Sequence, residues 1–214
     1  MCLDFARHQR EKGHVHKPAF TRAEPDARRL SLIEATARVL ASHGAAGVSV
    51  RTISAEAGVS PGLLGHYFDG IDALIAATYA HVDAQVSAAF EAAMAAAGPE
   101  PRARLLAHVT ASFARPIADP GLLATWIAFW SLVKSNADIA RLHRDLYAAY
   151  RRDLETLLAA CGMAENDRRL AAIGISAIVD GLWLELCLAP DAFTPAEASA
   201  IAERHIDALL ETRP

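Results

Sequence analysis

Cysteine is scarce in this 214-residue chain, and its three copies, Cys2, Cys161 and Cys187, lie far apart with no C-x-x-C. An odd number at that spacing excludes a disulfide framework or a zinc-thiolate site and reads as reduced thiols. Long apolar runs are missing too: none approaches the roughly 20 residues that span a bilayer, and the N-terminus lacks the apolar core of a signal peptide. The expected compartment is the cytoplasm. Runs of β-branched residues are rare while alanine is everywhere, so sheet is disfavoured and helix expected throughout. No internal repeat is present, and no low-complexity tract beyond the alanine bias. What the chain does have is apolar bulk, 53% of its residues, ample for a core.

The net charge of −4 looks wrong for a partner of nucleic acid until the chain is divided. Residues 1–68 hold nine Lys/Arg against six Asp/Glu, and residues 69–214 hold twelve against nineteen. One end can approach phosphate while the other is repelled, which also orients the molecule on encounter.

The positive end contains the most informative stretch, Ser49 to Phe68, SVRTISAEAGVSPGLLGHYF. Val50, Ile53 and Ala57 give one apolar face to a helix over about Ser49–Ala57, with Ser49 as its N-cap. Gly58 supplies the left-handed conformation that ends a helix, Val59 plugs the angle, and Ser60-Pro61 caps and opens a second helix. The result is a helix-turn-helix. On the second helix Pro61, Gly62, Gly65, His66 and Tyr67 are expected outward with Leu63 as an apolar knob, and Leu64 and Phe68 inward. Two glycines in so short a helix cost about 2 kcal/mol relative to alanine. They also let backbone and dipole come close to phosphates and base edges.

These residues resemble the N-terminal domain of TetR-type transcriptional regulators. Ile53, Ala57, Gly58, Val59, Ser60, Gly62, Leu64, His66, Tyr67, Phe68, Ala73 and Leu74 carry the resemblance. It implies that Ser60 to Gly65 face the major groove, that His66 meets a base edge or phosphate, and that Tyr67 meets a phosphate. Ile71 stands where the family often has a basic residue, leaving Arg51 or the N-terminal arm to compensate. The expected DNA-facing set is therefore Ser49, Arg51, Ser60, Pro61, Gly62, Leu63, Gly65, His66 and Tyr67, with double-stranded operator DNA as partner.

Gly58-Val59-Ser60-Pro61-Gly62 also fits G-x-S-x-G, the nucleophile elbow of serine hydrolases. An elbow follows a buried strand, but the residues before Gly58 are helix-periodic and include Glu56. Its oxyanion hole needs the N–H of the residue after the nucleophile, which Pro61 lacks. Ser131-x-x-Lys134 matches S-x-x-K without the partner motifs. No catalytic residue is assigned and no enzyme is expected.

Residues 1–24 show no apolar period and read as a flexible arm. His14 and His16 have no spaced carboxylate or thiol to complete a metal site, so neither metal nor cofactor is expected, while a basic arm is able to enter a minor groove. Helix is expected from Asp26 to His43, with Leu30, Ile33, Ala37 and Leu40 as core stripe. An Asp69/Asp72 capping pair is expected to open a helix of about 28 residues from Gly70 to Ala97, about 42 Å long. Further helices are expected over 102–115, from Asp119-Pro120 to Ser135-Asn136, from Asp138 to Ala160, over 167–188, and from the Thr194-x-x-Glu197 capping box to about Leu210. The organisation is all-α: an arm (1–24), a three-helix helix-turn-helix domain (25–70), and a helical regulatory and dimerisation domain (71–214).

On the eighth helix Leu170, Ile173, Ala177, Gly181, Leu184 and Leu188 step by three and four, while Gly174 and Gly181 admit a close helix. The ninth offers Ala198, Ile201, His205, Ala208 and Leu209. Burial within one monomer explains one stripe per helix. The TetR-type resemblance implies instead a twofold four-helix bundle, with Leu170, Ile173, Gly174, Ala177, Gly181, Leu184, Ile201, His205 and Leu209 at the interface. Trp126, Phe129 and Trp130, with Trp183, either fill a core or line a sensor cavity. The segments Trp126-Ile127-Ala128-Phe129-Trp130, Leu142-His143 and Asp180-Gly181-Leu182-Trp183-Leu184 resemble the BetI-type branch, repressors of choline-to-betaine genes.

The function expected is a homodimeric, ligand-responsive repressor released from its operator by a small molecule, either a choline-like cation or an apolar acyl compound. Glu185 is left unassigned because its spacing from Trp183 places it on another face. The alternatives are a helical enzyme or lipid carrier using the aromatic cavity, and a DNA binder without effector.

Overall fold

The computed structural model describes residues 25–211, so the arm with His14 and His16 lies outside the described residues. Among the described residues there are nine α-helices and no strand. Helix α1 (Pro25–His43), α2 (Val50–Glu56) and α3 (Pro61–Tyr67) close on a core of Leu32, Ile33, Val39, Ile53, Leu64 and Phe68, completed by Leu74 of α4 (Ile71–Ala96). Two expected core residues are not in it: Leu30 is 40% and Val50 36% exposed. In each case the buried stripe is displaced around the helix, to Leu32, Ala35, Thr36 and Val39 on α1 and to Ile53 and Ser54 on α2.

Local chemistry sets the boundaries. Ser49 Oγ accepts from Thr52 N at 3.1 Å while Ser49 N donates to Thr52 Oγ1 at 2.9 Å, a capping box that opens α2. Gly58, with φ 65°, ends the α2 segment in the left-handed region. Gly70, at φ 92°, is the N-cap of α4 and makes no side-chain cap bond, so Asp69 and Asp72 are not the expected capping pair. Asp72 instead accepts from Asn136 Nδ2 at 3.0 Å, tying the start of α4 to a loop 64 residues further on.

Helix α5 (Pro101–Thr110) stops short of residue 115 because Ala111–Phe113 tighten into a buried 3-10 turn. Then follow α6 (Pro120–Leu132), capped by Asp119, α7 (Ala137–Ala160), capped by Asn136, and α8 (Glu165–Leu188). Helix α9 (Pro195–Glu211) opens on the Thr194/Glu197 box: Glu197 Oε2 accepts from Thr194 N at 2.7 Å, and Thr194 Oγ1 from Glu197 N at 3.2 Å. The bond from Thr194 N, with a second donated by Thr194 Oγ1 at 2.9 Å, holds the Glu197 carboxyl below its ordinary range.

Helices α1 and α4 serve both ends of the molecule. Leu40 of α1 and Ile75, Tyr79, Val82 and Val86 of α4 belong to the larger core that α5 to α9 surround. Helix α1 lies along α6, where Thr125 Oγ1 donates to Ala37 O at 3.3 Å as well as to its own helix. A shift of α6 is therefore felt by α1 as well as by α4.

Candidate DNA interface and effector cavity

Helix α3 turns Leu64 and Phe68 inward and leaves Ser60, Pro61, Gly62, Gly65 and His66 exposed. Leu63 and Tyr67 are half-buried, the Tyr67 ring meeting His66 edge-on at 5.2 Å. A Cβ at Gly62 or Gly65 would meet nothing within 4 Å. Neither glycine is needed for internal packing, and their cost to the helix is left without a reason inside the fold. Ser60 occupies the N-cap without a side-chain cap bond, unlike the expectation, so Pro61 and the turn alone open α3. Ser49 is half-buried with its hydroxyl engaged in the α2 cap, while Arg51 beside it is exposed. The Arg38–Glu56 ion pair at 2.6 Å ties α1 to α2, and the Arg29 guanidinium lies 4.9 Å over the Phe68 ring, tying α1 to the end of α3. Ser60 follows helix α2 and a turn, so the strand that a hydrolase elbow requires is not there.

At the other end four helices line a partly open cavity of 80 Å³. Trp126 and Trp130 face it from α6, Tyr147 and Tyr150 from α7, Asp180 and Trp183 from α8, and Phe90 from α4. Trp183 Nε1 donates to Ser112 O at 2.7 Å, which fixes that indole. Trp126 is braced edge-on by Tyr79 at 5.0 Å. Of the four expected ligand residues, Trp126, Trp130 and Trp183 come together here. Phe129 does not: it is fully buried at 4.8 Å from Tyr79 and fills the core behind the cavity. Trp126 and Trp130 are four residues apart and share a face, whereas Phe129 is turned toward α4.

The polar groups of the cavity escaped the sequence reading. Tyr147 OH donates to Asp180 Oδ1 at 2.9 Å, and Glu185, the carboxylate weighed earlier, is exposed. Asp180 precedes Trp183 by three residues, so a helical wheel anchored on Trp183 places both on one side. Burial pushes the Asp180 carboxyl up, partly offset by the Tyr147 bond and the Arg151 charge. Burial likewise raises the Tyr147 and Tyr150 phenols, which stay neutral donors. Behind the wall His108, almost inaccessible, stacks on Tyr150 at 5.1 Å and meets the Phe90 ring at a tilt, 4.8 Å away. Desolvation pushes its imidazole down to about 4.

The outer face of α8 presents Leu170, Ala177, Gly181, Leu184 and Leu188 to solvent, with Ile173 and Gly174 half-buried. Leu170 is 67% and Leu188 66% exposed, on a helix apolar enough in length and composition to cross a membrane. Ile201 of α9 is exposed beside it, and His205 and Leu209 are half-buried. Ala198, expected on that stripe, is fully buried with Ala202 and Ile206 on the core side of α9. A Cβ at Gly181 meets nothing within 4 Å of its own chain.

Comparison with known proteins places both halves. Residues 32–78 match the family model of bacterial regulatory proteins of the tetR family, and residues 101–211 that of the BetI-type transcriptional repressor C-terminal domain. The HTH-type transcriptional regulator BetI of Burkholderia thailandensis is 36% identical over 188 residues, 87% of this chain and 95% of its own. A transcriptional regulator of Pseudomonas aeruginosa PAO1, known from a crystal structure, is 44% identical with a TM-score of 0.81, covering 90% of this chain and 95% of its own. A regulator from Saccharomonospora viridis, solved in complex with choline, shares the fold at 19% identity and a TM-score of 0.74, over 85% of this chain and 96% of its own.

Proposed function

This chain belongs to the TetR family of bacterial transcriptional regulators, with a C-terminal domain of the BetI type, and from that premise we propose how its parts divide the work. Ser60, Pro61, Gly62, Leu63, Gly65 and His66 enter the major groove, and Tyr67 and Arg51 meet phosphate; Ser49 acts by capping α2 beside the backbone. The observation that carries this is the pair of exposed glycines with no internal neighbour. They admit the α3 backbone to the groove, where any side chain would stand in the way. The outer faces of α8 and α9 bury against a second copy, which covers Leu170, Leu184, Leu188 and Ile201 and sets the two recognition helices one helical turn apart, about 34 Å. The protein works as a repressor in the cytoplasm, where the chromosome is.

The effector is a choline-like cation held in the aromatic cavity. Indole and phenol faces hold a cation that cannot donate hydrogen bonds, worth about 0.5–2 kcal/mol per ring. The cavity is partly open, so its aromatic faces rather than its volume of 80 Å³ favour the cation. The choline complex of the Saccharomonospora viridis regulator supports the reading only in that the same fold has room for such a cation. Closure of the rings on the ligand moves α6, and through α6 both α1 and α4, so that the two α3 helices no longer match successive grooves. Footprinting on DNA flanking the protein's own coding sequence tests the regulator reading. Two protected half-sites a helical turn or a multiple apart support it; protection indifferent to sequence overturns it.

A further inference from the structure

This inference rests on the effector reading above and adds the residue that selects the effector's charge. Asp180 is the one charged side chain among the residues lining the cavity, and Tyr147 holds it there through the 2.9 Å hydrogen bond. No basic side chain among the described residues lies within ion-pair distance of it. The Arg151 guanidinium is engaged over the Tyr147 ring, 5.7 Å from its centroid. The wall around the carboxylate is aromatic, and the Trp183 indole is fixed before any ligand arrives. A carboxylate so placed has one oxygen bonded to Tyr147 and its charge only partly offset by Arg151, which a low-dielectric surrounding penalises.

We infer that Asp180 is the charge-reading residue of the cavity and that Tyr147 positions it, so that neutral molecules of the same shape as the cation are rejected. A neutral isostere fills the aromatic box equally well but leaves the carboxylate unpaired. An anion is repelled. Tyr147, Tyr150 and Arg151 of α7 are the titratable or charged groups bearing on Asp180, while Trp126, Trp130, Phe90 and Ser112 carry no charge. A cation arriving beside the carboxyl favours its ionised form, so binding releases a proton and weakens on acidification.

Choline chloride and 3,3-dimethyl-1-butanol, which has carbon in place of the quaternary nitrogen, separate charge from shape. Each is titrated into the full-length dimer at pH 8, following tryptophan emission and release of operator DNA. Wild type prefers choline by about a hundredfold or more, and Asp180→Asn reduces that preference to about threefold. Asp180→Glu, which keeps the charge, retains the preference and shows that the position tolerates change. Tyr147→Phe keeps the preference, weakens choline binding about tenfold, and moves the acid loss of binding to higher pH, because the carboxylate has lost its donor. A purely structural Tyr147 would leave that pH profile in place. An Asp180→Asn protein that keeps the full preference, or a wild type that accepts both compounds alike, overturns the inference while leaving the aromatic cavity as the effector site. If neither compound alters emission or operator binding, the effector reading falls and this inference with it.

Discussion

At Gly62 and Gly65 an added side chain would meet only solvent, whereas at Trp183 the indole is pinned to Ser112 and walled by Trp126 at 6.4 Å. The proposed recognition helix is made by leaving atoms out, and the proposed effector cavity by converging large side chains from four helices. The first is local and depends on one short segment. The second depends on how α4, α6, α7 and α8 sit together. Helices α1 and α4 belong to both cores, which is the route by which the proposed effector would disturb DNA binding without touching α3.

The largest expected effect comes from filling the empty side of this comparison. Gly65→Glu places bulk and negative charge at the groove and lowers operator affinity by more than about a hundredfold, with the fold and dimer intact. A gel shift at matched salt checks it, and wild-type affinity would take α3 out of the groove. Gly181→Arg tests the outer face of α8. The monomer has room for the side chain, so the cost falls on the dimer, about 3–5 kcal/mol if the seam is buried. Sedimentation is expected to show monomer with much weaker operator binding; an unchanged dimer places the interface elsewhere.

The contrast also explains what was legible in the sequence. The helix-turn-helix lies within twenty consecutive residues, and its turn, caps and inward positions leave periodic marks, so its helices and its Gly58 turn were readable. The exposure of Leu30 and Val50 was not, because a repeat of three and four fixes an apolar stripe without fixing which edge of it the neighbours cover. The cavity is non-local. Three tryptophans signalled it, but Phe129 was grouped with them by adjacency, while Asp180 and Tyr147 meet only after α7 and α8 pack side by side. The 3-10 turn at Ala111–Phe113 was hidden for a similar reason: its composition is compatible with helix, and tertiary burial decides it.

A smaller effect sharpens the cavity side. His108 is neutral in the fold, with its pKa lowered to about 4, while the unfolded chain has an ordinary histidine near 6.5. As pH falls from 6.5 towards 4 the unfolded state takes up a proton that the native state refuses, so stability declines across that window, by about 3 kcal/mol at most. Urea unfolding at fixed protein concentration is expected to show this decline and its loss in His108→Leu; a variant with the wild-type pH dependence would show that His108 is not its source. Smallest is Tyr67→Ala, which removes the proposed phosphate contact and is expected to weaken binding about tenfold on operator and unrelated DNA alike. A loss confined to operator would make Tyr67 a base reader.

The link between the two ends is the central claim, and reciprocal titration tests it most directly. Operator affinity is measured with and without saturating choline, and choline affinity with and without saturating operator. Two sites sharing one conformational equilibrium must show the same factor in both directions, about 5- to 150-fold. That equality, with each ligand weakening the other, is the predicted result. An operator affinity unchanged when tryptophan emission shows the cavity filled would contradict the account.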